Sequence, residues 1–245
     1  MAAITVDGLS KSYDTTPVLS NLTFEVDVGT VFGLLGKNGA GKTTTINVLT
    51  GIVPPDTGSA AILGLDPSDD PEGVRERIGV LPEKESPPSF LTPREYFSFV
   101  GGVRELDTEY VATRVDEWAE RLDFAEKLDT LCKDLSRGQQ QKVMLTQAFL
   151  HDPELVFIDE PLANLDPVIQ ERVKELIREF QSRGTTIVLS THHVEVAQEL
   201  CTHVGILVDG AFAVECDPRE LSDETLRDVF LRAVEDHSTP LYPEP

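Results

Sequence analysis

The chain has 245 residues, 40% of them hydrophobic, which suffices for one large α/β core or a core with a smaller lobe. Asp and Glu total 43 against 21 Lys and Arg, a formal net charge of −22, and a surface of that sign repels phosphate backbones and excludes nucleic-acid binding. No stretch reaches the roughly 18–20 apolar residues that cross a bilayer, and Met1–Asp7 lacks the basic and apolar regions of a secretory signal, so a cytoplasmic protein is expected that meets a membrane only by docking on a partner.

The acidic residues are dispersed along the chain, and self-repulsion of this size opposes compaction in dilute buffer. Salt relieves it, because the Debye length falls from about 10 Å at 0.1 M to about 3 Å at 1 M. The hypothesis is a protein adapted to high salt, beside the plainer alternative of an acidic cytosolic protein. The melting temperature is expected to rise as KCl goes from millimolar to molar; a fall would rule out the first reading. Cys132, Cys201 and Cys216 form no C-x-x-C and fit a reducing compartment. Cys201 and His203 lack the further ligands of a structural zinc site.

In chain order, Ile4-Thr5-Val6 and Leu22–Val26 predict strands, with Ser10–Asp14 a loop between them. Val31–Leu35 reads as a buried strand, and Thr43–Leu49 as a helix. Between them the loop Gly36, Lys37, Asn38, Gly39, Ala40, Gly41, Lys42, Thr43, Thr44 fits G-x-x-x-x-G-K-[ST] in the strand–loop–helix context that makes it a phosphate cradle. Gly36, Gly39 and Gly41 let the backbone curl so that N–H groups face an anion, and the helix adds its positive end. Lys42 supplies a charge to the outer phosphates, and the Thr43 hydroxyl can ligate Mg²⁺.

Pro54–Gly58 breaks the chain, and Ala60–Leu63 and Ile78–Leu81 predict further strands. Arg94–Val100 and Glu109–Leu122 carry apolar residues at helical spacing, among them Val111, Val115, Trp118 and Leu122. Another helix runs from Ser136 to about Leu150. Ser136 is a good N-cap and Gly138 permits close backbone approach, which suits either an ordinary capped helix or a second anion site.

Leu155–Ile158 is an apolar strand of the parallel-sheet kind, followed by Asp159-Glu160-Pro161. Ligands of open α/β sheets bind at such carboxyl ends. There Asp159 can hold Mg²⁺, and Glu160 can orient and deprotonate an attacking water; two acids merely capping a strand end is the alternative. Ile169–Phe180 predicts a helix and Thr185–Leu189 a strand closed by Ser190-Thr191-His192. His192 is placed to hydrogen-bond a terminal phosphate, while His193 is expected to point elsewhere. Val194–Leu200 is a helix, and Val204–Val208 with Phe212–Val214 form a hairpin through Asp209-Gly210. Short acidic helices are expected beyond Pro218 and disorder over 236–245. Strand–helix alternation around the phosphate loop implies a parallel sheet with helices on both faces.

These motifs, in this order, resemble the ATP-binding cassette ATPases, the nucleotide-binding subunits of ABC transporters, over about Ile4 to Val214. Gly36–Thr44 is similar to the Walker A loop, and Leu135–Gln139 to the L-S-G-G-Q signature. Leu155–Glu160 is similar to Walker B with its catalytic glutamate, and Ala163-Asn164-Leu165-Asp166 to the D-loop. His192 resembles the switch histidine and Tyr13 the aromatic that stacks on adenine. The resemblance implies an α/β fold: a P-loop NTPase core with a mostly parallel sheet, an N-terminal antiparallel β subdomain and an inserted α-helical subdomain at about 83–150, in one domain over 1–235. It implies ATP and Mg²⁺, with Glu160 and His192 catalytic. It further implies a homodimer or pseudo-symmetric pair that sandwiches ATP, so that Ser136, Gly138 and Gln139 of one copy face the γ-phosphate held by Lys42 of the other. A separate transmembrane permease subunit, and a cytoplasmic place on the inner face of the membrane, complete the expectation.

Two residues depart from the family pattern. Arg137 replaces the first glycine of the signature. Glu83 stands where a Mg²⁺-approaching glutamine is expected, and a carboxylate can approach the ion but cannot donate a hydrogen bond. Leu81-Pro82-Glu83 and Leu91–Tyr96 resemble the export-type ABC-2 group, which implies export. The rivals are a soluble ABC ATPase of repair or translation, against which the charge argues, and a nucleotide-binding regulatory module, against which Glu160 and His192 argue.

Overall fold

The structure is a computed structural model that describes residues 1–82, 86–162, 165–221 and 224–237. β1 (Ala2–Tyr13) and β2 (Thr16–Asp27) pair as an antiparallel hairpin, and β4 (Thr57–Ile62) joins the other edge of β1. The polar stretch Ser10–Tyr13, expected as loop, is strand: Lys11, Ser12 and Tyr13 pair with Leu19, Pro17 and Thr16. The chain turns at Asp14, whose φ of 55° is one that Asp tolerates. Cross-strand pairing overrides local polarity here, as it commonly does in sheets.

The second sheet has the order β5-β6-β7-β3-β8-β9 among the described residues. Its members are β3 (Val31–Leu35), β5 (Ile78–Leu81), β6 (Leu155–Asp159), β7 (Thr186–Thr191), β8 (His203–Val208) and β9 (Ala211–Cys216). All run parallel except β9, which closes the expected hairpin with β8. Side chains alternate between two cores along each strand. Val156 and Ile158 of β6 and Ile187 and Leu189 of β7 face one core, with α5 (Arg137–Phe149), α6 (Pro167–Ser182), α7 (Val194–Leu200) and α8 (Leu226–His237). Leu155 and Phe157 of β6 and Val188 of β7 face the other, with α1 (Lys42–Leu49) and the three-stranded sheet. Burial on both faces is what makes these strands read as unbroken apolar runs.

α3 (Pro93–Val103) and α4 (Thr108–Arg121) begin at capping residues, Thr92 with a capping box and Asp107 with two bonds to backbone N–H groups. Trp118 of α4 packs against Phe149 of α5 and Phe180 of α6 at ring distances of 5.6 and 5.8 Å, tying α4 to the helices on the sheet. α2 (Pro71–Arg77) has no counterpart in the sequence reading. Asp70 caps it and Pro71 starts it, but Val74 is its buried residue, so it lacks the apolar stripe that announces a helix. Asp236 and His237, expected in a disordered tail, end α8; residues 238–245 lie outside the described residues.

Candidate functional site

Because β6, β7 and β3 are neighbours, three segments leave the sheet side by side at their carboxyl ends: the glycine loop, Asp159-Glu160 and Thr191-His192. The register sets Leu35 opposite Thr191 and Asp159 opposite Ser190. The Gly36 N–H donates to the Thr191 carbonyl at 3.3 Å, which ties the loop to β7. At Gly36 a Cβ would come 2.6 Å from the Leu207 carbonyl oxygen; at Gly41 it would come 2.8 Å from Leu19 Cδ2, and the Gly41 φ of 110° is one that side chains resist.

Gly41 is the N-cap of α1 and offers no side-chain oxygen to the first turn. No side chain caps this helix start, the arrangement in which a helix N-terminus can receive an anion. Lys42 is buried, and its Nζ donates to the carbonyls of Gly36 (2.8 Å) and Lys37 (3.3 Å), bridging the loop. The loop bounds an open hollow of about 270 Å³ whose lining includes Asn38, Gly39, Lys42, Thr43, Asp159 and Glu160. Val18 of β2 also lines it, a contribution that no motif marks.

Thr43 Oγ1 donates to Asp159 Oδ2 at 2.8 Å, and Ser190 Oγ donates to Oδ1 of the same carboxylate. The hydroxyl and carboxylate are hard oxygen donors. Their separation fits Mg²⁺, whose octahedral bonds of about 2.0–2.1 Å put neighbouring ligand oxygens about 2.9 Å apart. Thr43 and Asp159 are therefore the residues that fit this ion.

Glu160 has a φ of 53°, an uncommon backbone state for a residue of its kind, and its N–H donates to the Ser190 carbonyl at 3.1 Å. That bend carries its side chain, 7% exposed, back beneath β7. Oε2 accepts from Thr191 Oγ1 (3.2 Å), and Oε1 accepts from the His192 backbone N–H (3.1 Å). His192 Nδ1 lies 2.6 Å from Oε1, so the imidazole proton that faces the carboxylate is on Nδ1. His192 thus meets Glu160, not the loop, in this arrangement. His193 does not point elsewhere: its ring centroid lies 3.9 Å from that of His192, and it forms a cluster with His192 and Glu160.

The other candidates lie apart from this hollow. Ser136 caps α5 by accepting from Gln139 N (3.3 Å), and Gln139 Oε1 accepts from Ser136 N (2.9 Å). This capping box leaves the Ser136 hydroxyl proton free to donate. Ser136, Arg137, Gly138 and Gln139 line a separate open depression of about 570 Å³ with Lys142 and Asp166, and none of them is among the described residues that line the phosphate-loop hollow. Tyr13 is 44% exposed at the hairpin tip, with Lys11 Nζ 5.9 Å from its ring centre. Glu83 and the pair Ala163-Asn164 lie outside the described residues. Asp166 caps α6 through the backbone N–H groups of Val168 and Ile169.

Comparison with known proteins finds two matching family models. The family model described as ABC transporter matches residues 19–163. A second model, an AAA domain described as a putative AbiEii toxin, matches the shorter segment 132–197. Nod factor export ATP-binding protein I of Rhizobium meliloti (strain 1021) is 35% identical over 224 residues, covering 91% of this chain and 67% of that protein. A solved ATP-binding subunit of an ABC transporter superposes with a TM-score of 0.87 at 30% identity, over 94% of this chain and 99% of that one. The structure of CbiO1 from Clostridium perfringens, part of the CbiONQ transporter complex, superposes with a TM-score of 0.77 at 26% identity, over 94% and 95%. A phosphate loop, an acid pair and a histidine gathered on adjoining strand ends, within a sequence and a fold shared with these proteins, make the chain a member of the ABC transporter family and an ATPase of its ATP-binding subunits.

Proposed function

We propose that the chain binds Mg²⁺-ATP in the hollow beside the glycine loop and drives a separate transmembrane permease from the inner face of the membrane. The observation that carries this reading is the paired linkage at the ends of β6 and β7: Thr43 to Asp159, and Glu160 to Thr191 and His192. Lys42 and the loop amides of residues 36–44 hold the phosphates, and Tyr13 stacks on the adenine. Thr43 and Asp159 would hold Mg²⁺, which would supply positive charge against the phosphates.

Glu160 acts as the base toward water. Three of the roughly four acceptor sites of its carboxylate are engaged by Thr191 and His192. Turning His192 toward the terminal phosphate vacates one of them for a water proton. Holding the base in the idle state and releasing it on nucleotide binding limits turnover without a partner.

The separation of Ser136, Gly138 and Gln139 from the phosphate-loop hollow supports a second copy as their source in the complete site. No helix of the described residues is long and apolar enough to cross a membrane, which agrees with a permease supplied as another subunit, and CbiO1 is itself part of a transporter complex. Export is the favoured direction, in line with the activity named for the Rhizobium relative.

Ser136→Ala tests the two-copy site. Steady-state turnover is expected to fall, while nucleotide binding by the isolated chain is unchanged. The lost cap lowers stability by about 0.5–2 kcal/mol, which a melting curve corrects for. Unchanged turnover would remove Ser136, and the support it gives to the sandwich, from the site.

A further inference from the structure

One carboxylate and two imidazoles converge next to the Mg²⁺-type oxygens without belonging to them. The ligand atoms of Glu160, His192 and His193 lie within 4.8 Å of one another. Glu160 is buried, whereas both histidines are exposed and so open to solvent. His193 is the N-cap residue of α7, yet its side chain caps nothing. Its backbone N–H is held by Thr191 Oγ1 at 3.1 Å, which anchors the residue while the ring stays adjustable. The ring opens into a hollow of about 260 Å³ lined also by Glu160, Gln170, Thr191 and Glu195.

We infer that Glu160, His192 and His193 form a binding site for a transition-metal ion such as Zn²⁺, and that filling it locks the ATPase off. A tetrahedral zinc ion with bonds of about 2.0–2.1 Å puts its ligands about 3.3 Å apart, and rotation of the two exposed rings closes the cluster to that spacing. The fourth position is left to water, the arrangement of a two-histidine, one-carboxylate site. The donor chemistry separates this ion from Mg²⁺. Imidazole nitrogens favour zinc and its neighbours, whereas the hydroxyl and carboxylate of Thr43 and Asp159 favour magnesium. The 2.6 Å approach of His192 Nδ1 to Glu160 Oε1 already brings two donor atoms of the site together. For Nδ1 to bind the metal, the neutral ring carries its proton on Nε2 instead, and the ion takes the place that the Nδ1–H held beside Glu160. The carboxylate is then coordinated to the metal and withdrawn from water, and His192 is held away from the phosphate. The loss of turnover rests on the role given to Glu160 above; the binding of the metal does not.

Titration calorimetry of the nucleotide-free full chain with zinc chloride, in buffer containing excess Mg²⁺, is expected to show one saturable site per chain. His193→Ala is expected to weaken it by at least about tenfold, the loss caused by removing even an outer partner of a metal site. His203→Ala, which removes a second His–Glu pair among the described residues, His203 with Glu215 at 3.8 Å, is expected to leave it unchanged. Cobalt(II) in place of zinc is expected to give a visible absorption band that His193→Ala abolishes. Absence of saturable binding, or binding that His193→Ala leaves intact, overturns the site. With free zinc buffered in the ATPase assay, the natural protein is expected to be inhibited, and His193→Ala to retain basal turnover and resist. Zinc bound at the site with turnover unaffected overturns the lock. Turnover unaffected by Glu160→Gln, while the natural protein still binds zinc, counts against the role of Glu160 as base and leaves the metal site standing.

Discussion

Glu160→Gln is expected to lower ATP turnover by about 10²–10⁴-fold, the contribution of a positioned general base, or about 2.7–5.5 kcal/mol of barrier. The substitution is close to isosteric, and the pocket accepts it. With the amide oxygen in the place of Oε1, the bonds from the His192 N–H and Nδ1 survive. The amide nitrogen then faces Thr191 Oγ1, and a hydroxyl can accept as readily as it donates. Folding and nucleotide binding are therefore preserved while proton acceptance is lost. Single-turnover hydrolysis reads the chemical step, and size measurement with Mg²⁺-ATP reads the assembly. The variant is expected to accumulate as a nucleotide-bound dimer, since hydrolysis is what releases the two copies. A Glu160→Gln protein that hydrolyses ATP at the natural rate, or stays monomeric with bound Mg²⁺-ATP, would sink the base assignment or the sandwich respectively.

Lys42→Ala is expected to weaken ATP binding by about 10–150-fold, which corresponds to the roughly 1.5–3 kcal/mol of a hydrogen bond from a charged donor. In the structure the Lys42 ammonium lies across the loop on the carbonyls of Gly36 and Lys37, at the rim of the hollow that a phosphate would enter. Two effects act in the same direction. The phosphate loses its cation, and the loop loses a bridge that holds it curled. Equilibrium titration with a fluorescent nucleotide measures the sum, and a melting curve without nucleotide isolates the second. An affinity equal to that of the natural chain would mean that phosphate does not sit where the loop amides converge.

The legible parts of the fold were those with strong local signals. Val31–Leu35, Leu155–Asp159 and Thr186–Thr191 are buried on both faces, so apolar runs announced them, and capped amphipathic helices such as Thr108–Arg121 announced themselves by spacing. Ser10–Tyr13 and Pro71–Arg77 were illegible for opposite reasons. The first is polar and is strand only through its partners; the second buries too little to leave a stripe. At the site, Lys42, Thr43, Asp159, Glu160 and His192 could be read from motif and context. Ser190, Thr191 and Val18 could not, because their parts depend on strand register and on a hairpin packed from another sheet. His193 is expected to point away from its neighbour, yet the turn between β7 and α7 brings the two rings together at 3.9 Å, tilted by 39°.

The order of residues along the chain determined by itself the chemical inventory: a glycine-rich loop ending in Lys-Thr, an acid pair behind an apolar strand, a histidine behind another, and a net charge of −22. These are local properties, set by which groups stand next to each other on the backbone. Only the tertiary structure decided that β6, β7 and β3 lie side by side, and hence that Asp159 meets Thr43 while Glu160 meets His192. It also decided that the Ser136 helix start opens on a different hollow. Strand order and register come from many weak packing terms summed over the whole core, and no short window of sequence contains that sum.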